Sequence, residues 1–350
     1  MINPFKNGDF FISDNHEPFI IAEMSGNHNQ SLEKAIEIVD AAADAGAHGL
    51  KIQTYTADTM TIPFDKGLFY IDDPKSLWFG KTLHELYQIA YTPWEWHQAI
   101  FDRARKRGLI PFSTPFDSTS VDFLETLNVS VYKIASFENK DLPLLRKVAS
   151  TGKPVIMSTG ATTLSDLAES VATLRKYGCK DLVLLKCTST YPASEENTNL
   201  RTISHMRELF NCHVGLSDHT AGIGASVASV ALGSRVIEKH FTISRSEGGV
   251  DSAFSIEPNE LSSLVKETKR AFKALGGVQY DLLEDEKASL RFKRSIYIVE
   301  NIKAGEKYTE KNVRIIRPGD GLLPKYYDNI IGRVSKVNIE RGTPFSWDLF

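Results

Sequence analysis

HVGLSDHTAGIGASVASVALGSRVIEKHFT, residues 213–242, is the stretch on which the fold turns. An apolar run that ends in polar residues, His213 to His219, is followed by a small-residue helical stretch, Gly222 to Ala231. A second apolar run, Val236 to Thr242, closes the unit. Gly233 sits just past the helical stretch, where a left-handed C-cap is expected. Strands that are apolar throughout and separated by a helix predict parallel pairing in a sheet covered on its outer face. Working outward, the same unit recurs. Apolar runs occur at Phe19 to Ser25, Gly49 to Thr54, Ile110 to Pro115, Val131 to Ser136, Pro154 to Thr159 and Leu182 to Thr188, which with the first two makes eight. Amphipathic stretches lie between them: Ser31 to Ala45, Trp94 to Arg107, Ser118 to Leu127, Leu142 to Ala149, Leu164 to Tyr177 and Ile203 to Phe210. A last one, Glu260 to Leu275, follows the eighth run. Eight such units over about 275 residues predict a (β/α)8 TIM barrel.

Local signals agree with that parse. Ser31 stands ahead of one helix, although Lys34 occupies the position where a capping box would want Glu. Thr163-Leu-Ser-Asp166 and Pro258-Asn-Glu260 are better start signals, and Gly46, Gly108 and Gly178 follow three more helical stretches. The connection from Tyr55 to Gly80 is long; in a barrel an insertion there falls at the active-site face and makes a lid. After Gly276-Gly277 the texture changes. Gln279 to Leu290 is acidic and polar and reads as a linker. Arg291 to Phe350 holds short strand-like pieces, Ser295 to Val299, Val313 to Arg317 and Lys336 to Ile339, among turn signals. The expected division is a barrel at 1–278, a linker at 279–290 and a small, mostly β domain at 291–350.

Composition narrows the function. The 350 residues are 42% hydrophobic and 24% charged, which excludes a disordered or fibrous chain. A balance of 41 Lys+Arg against 44 Asp+Glu argues against a nucleic-acid-binding surface. No run approaches the ~20 apolar residues of a membrane span, and the N-terminus lacks the apolar core of a secretory signal. Cys179, Cys187 and Cys212 lie far apart with no C-x-x-C, as expected for reduced thiols in a cytoplasmic protein.

In a (β/α)8 barrel the chemistry sits at the C-terminal strand ends, and here these tips are polar: Glu23, Lys51 and Gln53, Thr114, Lys133 with Ser136 and Glu138, Ser158, Thr188 with Tyr191, Ser217 with His219, and His240. Lys51 and Lys133 lie inside apolar strands, where an unpaired ammonium is costly to bury. A phosphate-bearing anion would settle that cost, with Ser136, Ser158, Thr188 and Ser217 donating to its oxygens. The plainer alternative is that each lysine pairs with a neighbouring glutamate or reaches solvent. His219 and His240 end adjacent strands and can meet on one divalent ion, with Glu23 as a direct or water-bridged third group. The alternative makes one a core histidine and the other a general base. His28, His48, His84, His97, His205 and His213 read as structural or surface residues, with His28 held in reserve, and Trp94 and Trp96 read as packing.

The stretches IIAEMSGNH, KIQTYT, FSTPFD, YKIASFE, STG, LKCTSTYP, GLSDHT and VIEKHFT, followed by GGVDSAFS, resemble the sialic acid synthase family in order and over nearly the whole chain. The C-terminal module resembles the antifreeze-like (SAF) domain of that family. LYQIAYTPWEWHQAIFDRA, YKIASFE and LKCTSTYP look like the branch that makes pseudaminic acid; the neuraminic branch has His in place of Lys186 and Asn in place of Ser189. The resemblance implies condensation of phosphoenolpyruvate with an N-acetylated amino sugar, using a divalent metal (Mn, Co or Mg) on His219 and His240, with Glu23 holding a metal-bound water. It places phosphoenolpyruvate on Lys51, Thr114, Lys133, Ser136, Ser158, Thr188 and Ser217, and the sugar near Gln53, Glu138, Tyr191 and Asp251. It further implies that Arg317 reaches into the partner's site of a domain-swapped homodimer. The pseudaminic precursor lacks a C6 hydroxyl, so an apolar patch is expected there, with Met60 to Phe79 as its source. A synthase of neuraminic or legionaminic acid in the same family, a metal-dependent aldolase using a pyruvate enolate or a Schiff base on Lys133, and a non-catalytic sugar- or phosphate-binding scaffold are the competing readings.

Overall fold

A computed structural model of the chain describes residues 2–74 and 76–349; Lys75 of the insertion, and the domain limits expected at Met1 and Phe350, lie outside the described residues. The chain divides into two compact units, Met1–Gly276 and Gly277–Phe350.

The first unit opens with a hairpin that the sequence pattern did not reveal, β1 (Phe5–Asn7) against β2 (Phe10–Ile12). Three-residue strands are too short to display a period of two. The eight apolar runs then form β3 (Phe19–Glu23), β4 (Gly49–Thr54), β5 (Ile110–Pro115), β6 (Tyr132–Ile134), β7 (Val155–Ser158), β8 (Leu182–Cys187), β9 (His213–Asp218) and β10 (Ser234–His240). All pair in parallel as one closed barrel in the order β10-β3-β4-β5-β6-β7-β8-β9. Several strands stop one or two residues before the apolar run does, and Ser25 (φ +48°) marks one place where the chain turns off the ladder.

The connections carry α1 (Leu32–Asp44), α2 (Ala57–Met60), α3 (Leu83–Ala90), α4 (His97–Lys106), α5 (Ser118–Thr126), α6 (Leu142–Ala149), α7 (Leu164–Lys176), α8 (Thr202–Phe210), α9 (Gly224–Ala231) and α10 (Pro258–Leu275). Ser31 caps α1 by accepting from Lys34 N, and Thr163 with Asp166 forms a full capping box on α7. Gly46, Gly108, Gly178 and Gly233 all take positive φ at helix ends. The short α2 and α3 lie in and beside the long insertion and were not separated from it by pattern. The stretch opening at Trp94 begins as a 3-10 turn, Trp94–Trp96, after Pro93 and becomes α-helical only at His97.

Strand geometry sorts the side chains. Successive residues point to opposite sheet faces. Ile20, Ala22, Leu50, Ile52, Tyr132, Ile134, Val214, Leu216 and Ile237 pack outward under the helices. Their neighbours Phe19, Ile21, Phe112, Val131, Ile156, Val183, Leu185 and Val236 fill the lower barrel, closed from beneath by Phe5, Phe10 and Ile12. Gly215 faces this crowded level. A Cβ there would collide with Val236 O and lie 2.7 Å from Leu185 Cδ2, beside a register shift in β10.

The second unit is a separate core of Ile296, Ile298, Ile302, Tyr308, Val313, Ile330, Ile339 and Phe345. It contains β11 (Ser295–Ile298), antiparallel to β12 (Val313–Ile316), and α11 (Tyr327–Ile330). The stretch Lys336 to Ile339, expected as a strand, is not one: it pairs only at the single bridge Ile302↔Ile339, so no ladder forms. The acidic stretch expected as a linker winds into a 3-10 helix, Glu284–Phe292. Among the described residues, no helix is long and apolar enough to cross a membrane.

Asp14, just after the hairpin, ties the barrel floor together. Its carboxylate accepts from Arg207 of α8 and from Ile2 N, and His213 Nδ1 lies 3.6 Å away. Burial works against the charge, but Arg207 outweighs it and holds the Asp14 pKa below the usual aspartate value. A carboxylate with a folded pKa below its unfolded value stabilises the fold above the unfolded pKa and loses that contribution as pH falls through the folded one. Asp14→Asn is therefore expected to cost about 1 kcal/mol near pH 7, allowing for solvent screening. In urea titrations repeated down the pH scale, the gap between the two proteins should close below about pH 4.

Candidate active site

The alternation that fills the lower barrel with apolar residues puts a polar layer directly above it. Two residues on from Ile21 comes Glu23; two on from Phe112, Thr114; from Val131, Lys133; from Ile156, Ser158; from Leu185, Cys187; from Gly215, Ser217; and from Val236, Glu238 and then His240. Lys51 and Gln53 take the same level on β4. Most of these residues line a cavity of about 400 Å³ at the C-terminal mouth, together with Ser136, Glu138, Tyr191, His219 and Asp251.

The floor of the cavity is a buried network of four charges. Lys51 Nζ lies 2.6 Å from Glu23 Oε2 and 3.8 Å from Glu238 Oε1, and Lys133 Nζ lies 3.5 Å from Glu238 Oε1. The lysines donate to hydroxyls as well, Lys51 to Thr114 Oγ1 (3.0 Å) and Lys133 to Ser158 Oγ (2.8 Å). Both lysines thus have glutamate partners, as the plainer reading held, yet their ammoniums still face the cavity beside three hydroxyls. Glu238 was missed. It could have been found from His240, because residues two apart on a strand share a face.

Burial pushes the Glu23 carboxyl up to about 7, with Lys51 opposing and Glu238 adding to the rise. Burial also acts against Glu238, but Lys133, Lys51 and His219 hold its pKa below the ordinary glutamate value. Burial lowers the Lys133 pKa, and Glu238 only partly offsets it. The layer is therefore a near-balanced set of charges whose protonation responds to what enters.

His219 and His240 meet across the mouth with ring centroids 5.3 Å apart. His219 Nδ1 donates to Thr188 O at 3.0 Å, so Nε2 is the ring nitrogen that could take a ligand once deprotonated. His240 Nδ1 is buried without a hydrogen-bond partner among the described residues, 3.6 Å from Asp251 Oδ2. Burial, reinforced by His219 and Lys51, holds His240 far below its ordinary pKa, so it is neutral. Glu23 Oε1 and Glu238 Oε2 are orphaned in the same way. Among the described residues, no group of three or more His, Cys, Asp or Glu is placed so that it could hold a metal ion. The two imidazoles alone would leave the other positions of a divalent ion to water or substrate.

The remaining expected residues divide. Tyr191 packs on the His219 ring at 4.5 Å. Asp251 accepts from Ser25 Oγ, and Asn27 holds the loop beneath it through Phe241 O, Ser255 Oγ and Asp251 N. Ser25 and Asn27 fall in the IIAEMSGNH stretch, where the sequence alone gives them no role. Burial pushes the Glu138 carboxyl up to about 7, and its Oε2 has no partner among the described residues. The Thr188 hydroxyl turns to Asn197 O (3.2 Å) and accepts from Lys186, so the carbonyl of Thr188, more than its side chain, serves the site. Glu23 and Thr114 are not among the residues that line the cavity, and both are bonded to Lys51. Arg317 directly follows β12 in the second unit. Cys187, also missed, lies 3.9 Å from His219 Nδ1; burial would raise its pKa, but His219, Ser136 and Ser189 bring it to about 6. His28 and His97 are buried structural residues, bonded to Thr92 and Thr54.

The comparisons with known proteins point one way. A sequence model of the NeuB family matches residues 38–280, and one of the SAF domain matches residues 293–350. The chain is 44% identical to a pseudaminic acid synthase of Campylobacter jejuni, over 93% of this chain and 94% of that protein. It is 41% identical to a pseudaminic acid synthase of Helicobacter pylori, over 95% and 97%. Among solved structures, the N-acetylneuraminic acid (sialic acid) synthetase of Leptospira borgpetersenii superposes with a TM-score of 0.73 at 31% identity, covering 83% of this chain and 95% of that one.

The lysine pair makes a direct prediction. Lys51→Met and Lys133→Met should each weaken phosphoenolpyruvate binding at least tenfold by calorimetry, and Lys51→Met, which leaves Glu23 without its lysine, should also cost about 3 kcal/mol or more of stability. Retention of parental affinity in either folded variant would remove that lysine from the anion site.

Proposed function

The chain belongs to the NeuB family, and we propose that it joins phosphoenolpyruvate to 2,4-diacetamido-2,4,6-trideoxy-L-altrose, with water, to give pseudaminic acid and phosphate. The observation that carries this is the single cavity in which Lys51, Lys133, Ser158 and Ser217 converge beside the His219–His240 pair, in a chain 41–44% identical to pseudaminic acid synthases.

Lys51 and Lys133 neutralise the phosphate and carboxylate, and Ser136, Ser158 and Ser217 donate to their oxygens, so that the enol carbon is oriented before reaction. His219 and His240 would hold a divalent ion, Mn, Co or Mg, which when bound supplies Lewis acidity for the aldehyde oxygen of the open-chain sugar. C3 of phosphoenolpyruvate forms a bond to that aldehyde carbon. Water adds at C2, and the resulting tetrahedral centre loses phosphate with C–O cleavage. Glu23, its carboxyl raised to about 7 by burial, is suited to exchange the proton of that water. Gln53, Glu138, Tyr191 and Asp251 face the sugar. The Schiff-base alternative requires a free Lys133, whereas its ammonium is engaged by Ser158 and Glu238. In a homodimer, Arg317 of the SAF domain would complete the sugar site of a partner subunit. Phosphoenolpyruvate is a cytoplasmic metabolite, and the three cysteines are unpaired, which together support a cytoplasmic location.

The deciding assay offers three sugars side by side with phosphoenolpyruvate: the trideoxy-altrose, N-acetylmannosamine and the legionaminic precursor. Mass analysis should find one product, pseudaminic acid, with phosphate released. EDTA should abolish turnover and Mn, Co or Mg restore it, while Arg317→Ala should lower it by an order of magnitude or more. A neuraminic or legionaminic product would reassign the sugar, and borohydride trapping of pyruvate on Lys133 would reassign the reaction.

Met60 and Trp78 of the insertion, with Leu86, Ala90 and Val250, make one wall of the cavity apolar. Trp78 is pinned there by donating from Nε1 to Val250 O at 3.2 Å. This wall suits the C6 methyl of a 6-deoxy sugar. Trp78→Ala should raise the sugar KM about tenfold or more and leave the phosphoenolpyruvate KM within twofold, as expected for about 1.5–3 kcal/mol of lost apolar burial.

A further inference from the structure

Behind the two histidines, on the opposite face of the same strands, lies a second buried charge pair that the mechanism does not use. Asp218 and Lys239 are direct register partners in the β9–β10 ladder. Alternation turns them outward, away from the cavity. Lys239 Nζ lies 3.0 Å from Asp218 Oδ2, with both side chains fully buried. Lys239 Nζ also donates to Thr220 O at 2.7 Å. Asp218 Oδ1 accepts from Thr220 N (2.9 Å) and Thr220 Oγ1 (2.7 Å), and Oδ2 accepts from Ser226 Oγ of α9 (2.6 Å).

The placement matters more than the pair. Asp218 and Thr220 flank His219, and Lys239 precedes His240. Two of the bonds, Lys239 Nζ to Thr220 O and Thr220 N to Asp218 Oδ1, hold backbone next to His219, and the others join side chains of residues adjacent to the histidines to one another or to Ser226. The neighbouring outward positions on these two strands, Val214, Leu216 and Ile237, are apolar. An apolar pair at 218 and 239 would bury at least as favourably, since a buried ion pair is rarely more stable than its hydrophobic replacement. What apolar packing lacks is direction. A fully satisfied network of short hydrogen bonds permits neither sliding of one strand tip along the other nor rotation of the turn after β9.

We propose that Asp218, Lys239 and Thr220 form a clamp that sets the separation and aim of the His219 and His240 imidazoles, and so the affinity of that pair for a divalent cation. They are positioning residues and touch no substrate. The proposal rests on the metal reading of the histidine pair.

The test uses the full-length, metal-free protein and Mn2+ itself, titrated by electron paramagnetic resonance of the free ion, with phosphoenolpyruvate binding measured separately by calorimetry. Asp218→Asn is the direct variant. Thr220→Val is the milder one, which keeps the side-chain shape and removes one hydroxyl, and Thr220→Ser restores that hydroxyl. Loss of outer-shell support lowers metal affinity by about 10–100-fold. Thr220→Val should raise the Mn2+ Kd about tenfold, Thr220→Ser should return it to within threefold of the parent, and phosphoenolpyruvate affinity should stay within threefold throughout. A folded Thr220→Val protein with parental Mn2+ affinity overturns the clamp. Parallel loss of Mn2+ and phosphoenolpyruvate binding also overturns it, because the cluster would then support the barrel in general. A parent protein that takes up no Mn2+ overturns the metal reading and the clamp together.

Discussion

Four charges buried at one level of a closed barrel, Glu23, Lys51, Lys133 and Glu238, constrain everything around them. None could be placed there alone, because an isolated ion in that interior would neutralise or unfold the protein. Their mutual distances are set by strand register: Glu23 pairs in register with Lys51 and with His240, and Glu238 with Ser217. The apolar floor below, sealed by Phe5, Phe10 and Ile12, keeps the network dry from beneath. Only the upper side is open, so an anion entering from the mouth meets ammonium groups already partnered by carboxylates, Glu23 beneath the cavity and Glu238 on its wall. The hydroxyls of Thr114 and Ser158 steady each Nζ, so that both lysines are held by a hydroxyl as well as by a glutamate.

The same parity divides labour across each strand. On β10, Glu238 and His240 face the cavity while Lys239 faces the helices. On β9, Ser217 faces in and Asp218 out. Residues that do chemistry and residues that hold them therefore alternate along a single strand, and the holding residues can be charged only because they find each other in register. The histidine pair depends on both faces: Thr188 O orients one ring from the loop side, and Tyr191 and Phe254 pack against the rings from above.

Much of this was legible in the sequence, for a physical reason. Strands buried on both faces have no polar positions below their tips, so each appears as an apolar run that stops at its functional residue, and Lys51 and Lys133 stand out against that background. Legibility failed where structure depends on contacts distant in sequence. The β1–β2 hairpin is too short for a period, and its reason for forming is the open barrel floor. Glu238 and Cys187 are on the page only once His240 and Ser189 are given a face. Thr188 reads as a ligand hydroxyl by position, but the loop after β8 rotates it toward Asn197 and offers its carbonyl instead. The single-bridge segment at Ile339 has strand composition and no adjacent ladder to join.

Sugar choice is bounded by the same chemistry. An apolar wall of Met60, Trp78, Leu86 and Val250 favours a methyl at C6, yet a pocket of that kind rejects an added hydroxyl by only about 100-fold. Discrimination of ten-thousand-fold or more comes from polar groups left unsatisfied by the wrong substrate. Such groups are present on the other walls: the orphaned Glu138 Oε2, the Asp251 carboxylate braced by Ser25, and Gln53 on β4. In the proposed reaction, selectivity would therefore rest on how the sugar's hydroxyl and acetamido groups meet these three residues, with the C6 wall as a secondary filter. Gly160 reinforces this arrangement. A side chain there would run into the hydroxyls of Ser189 and Ser136, and Asn139 grips the Gly160 carbonyl at 2.9 Å. The turn that follows β7 is thereby pressed against the hydroxyls of Ser136 and Ser189, both of which line the cavity.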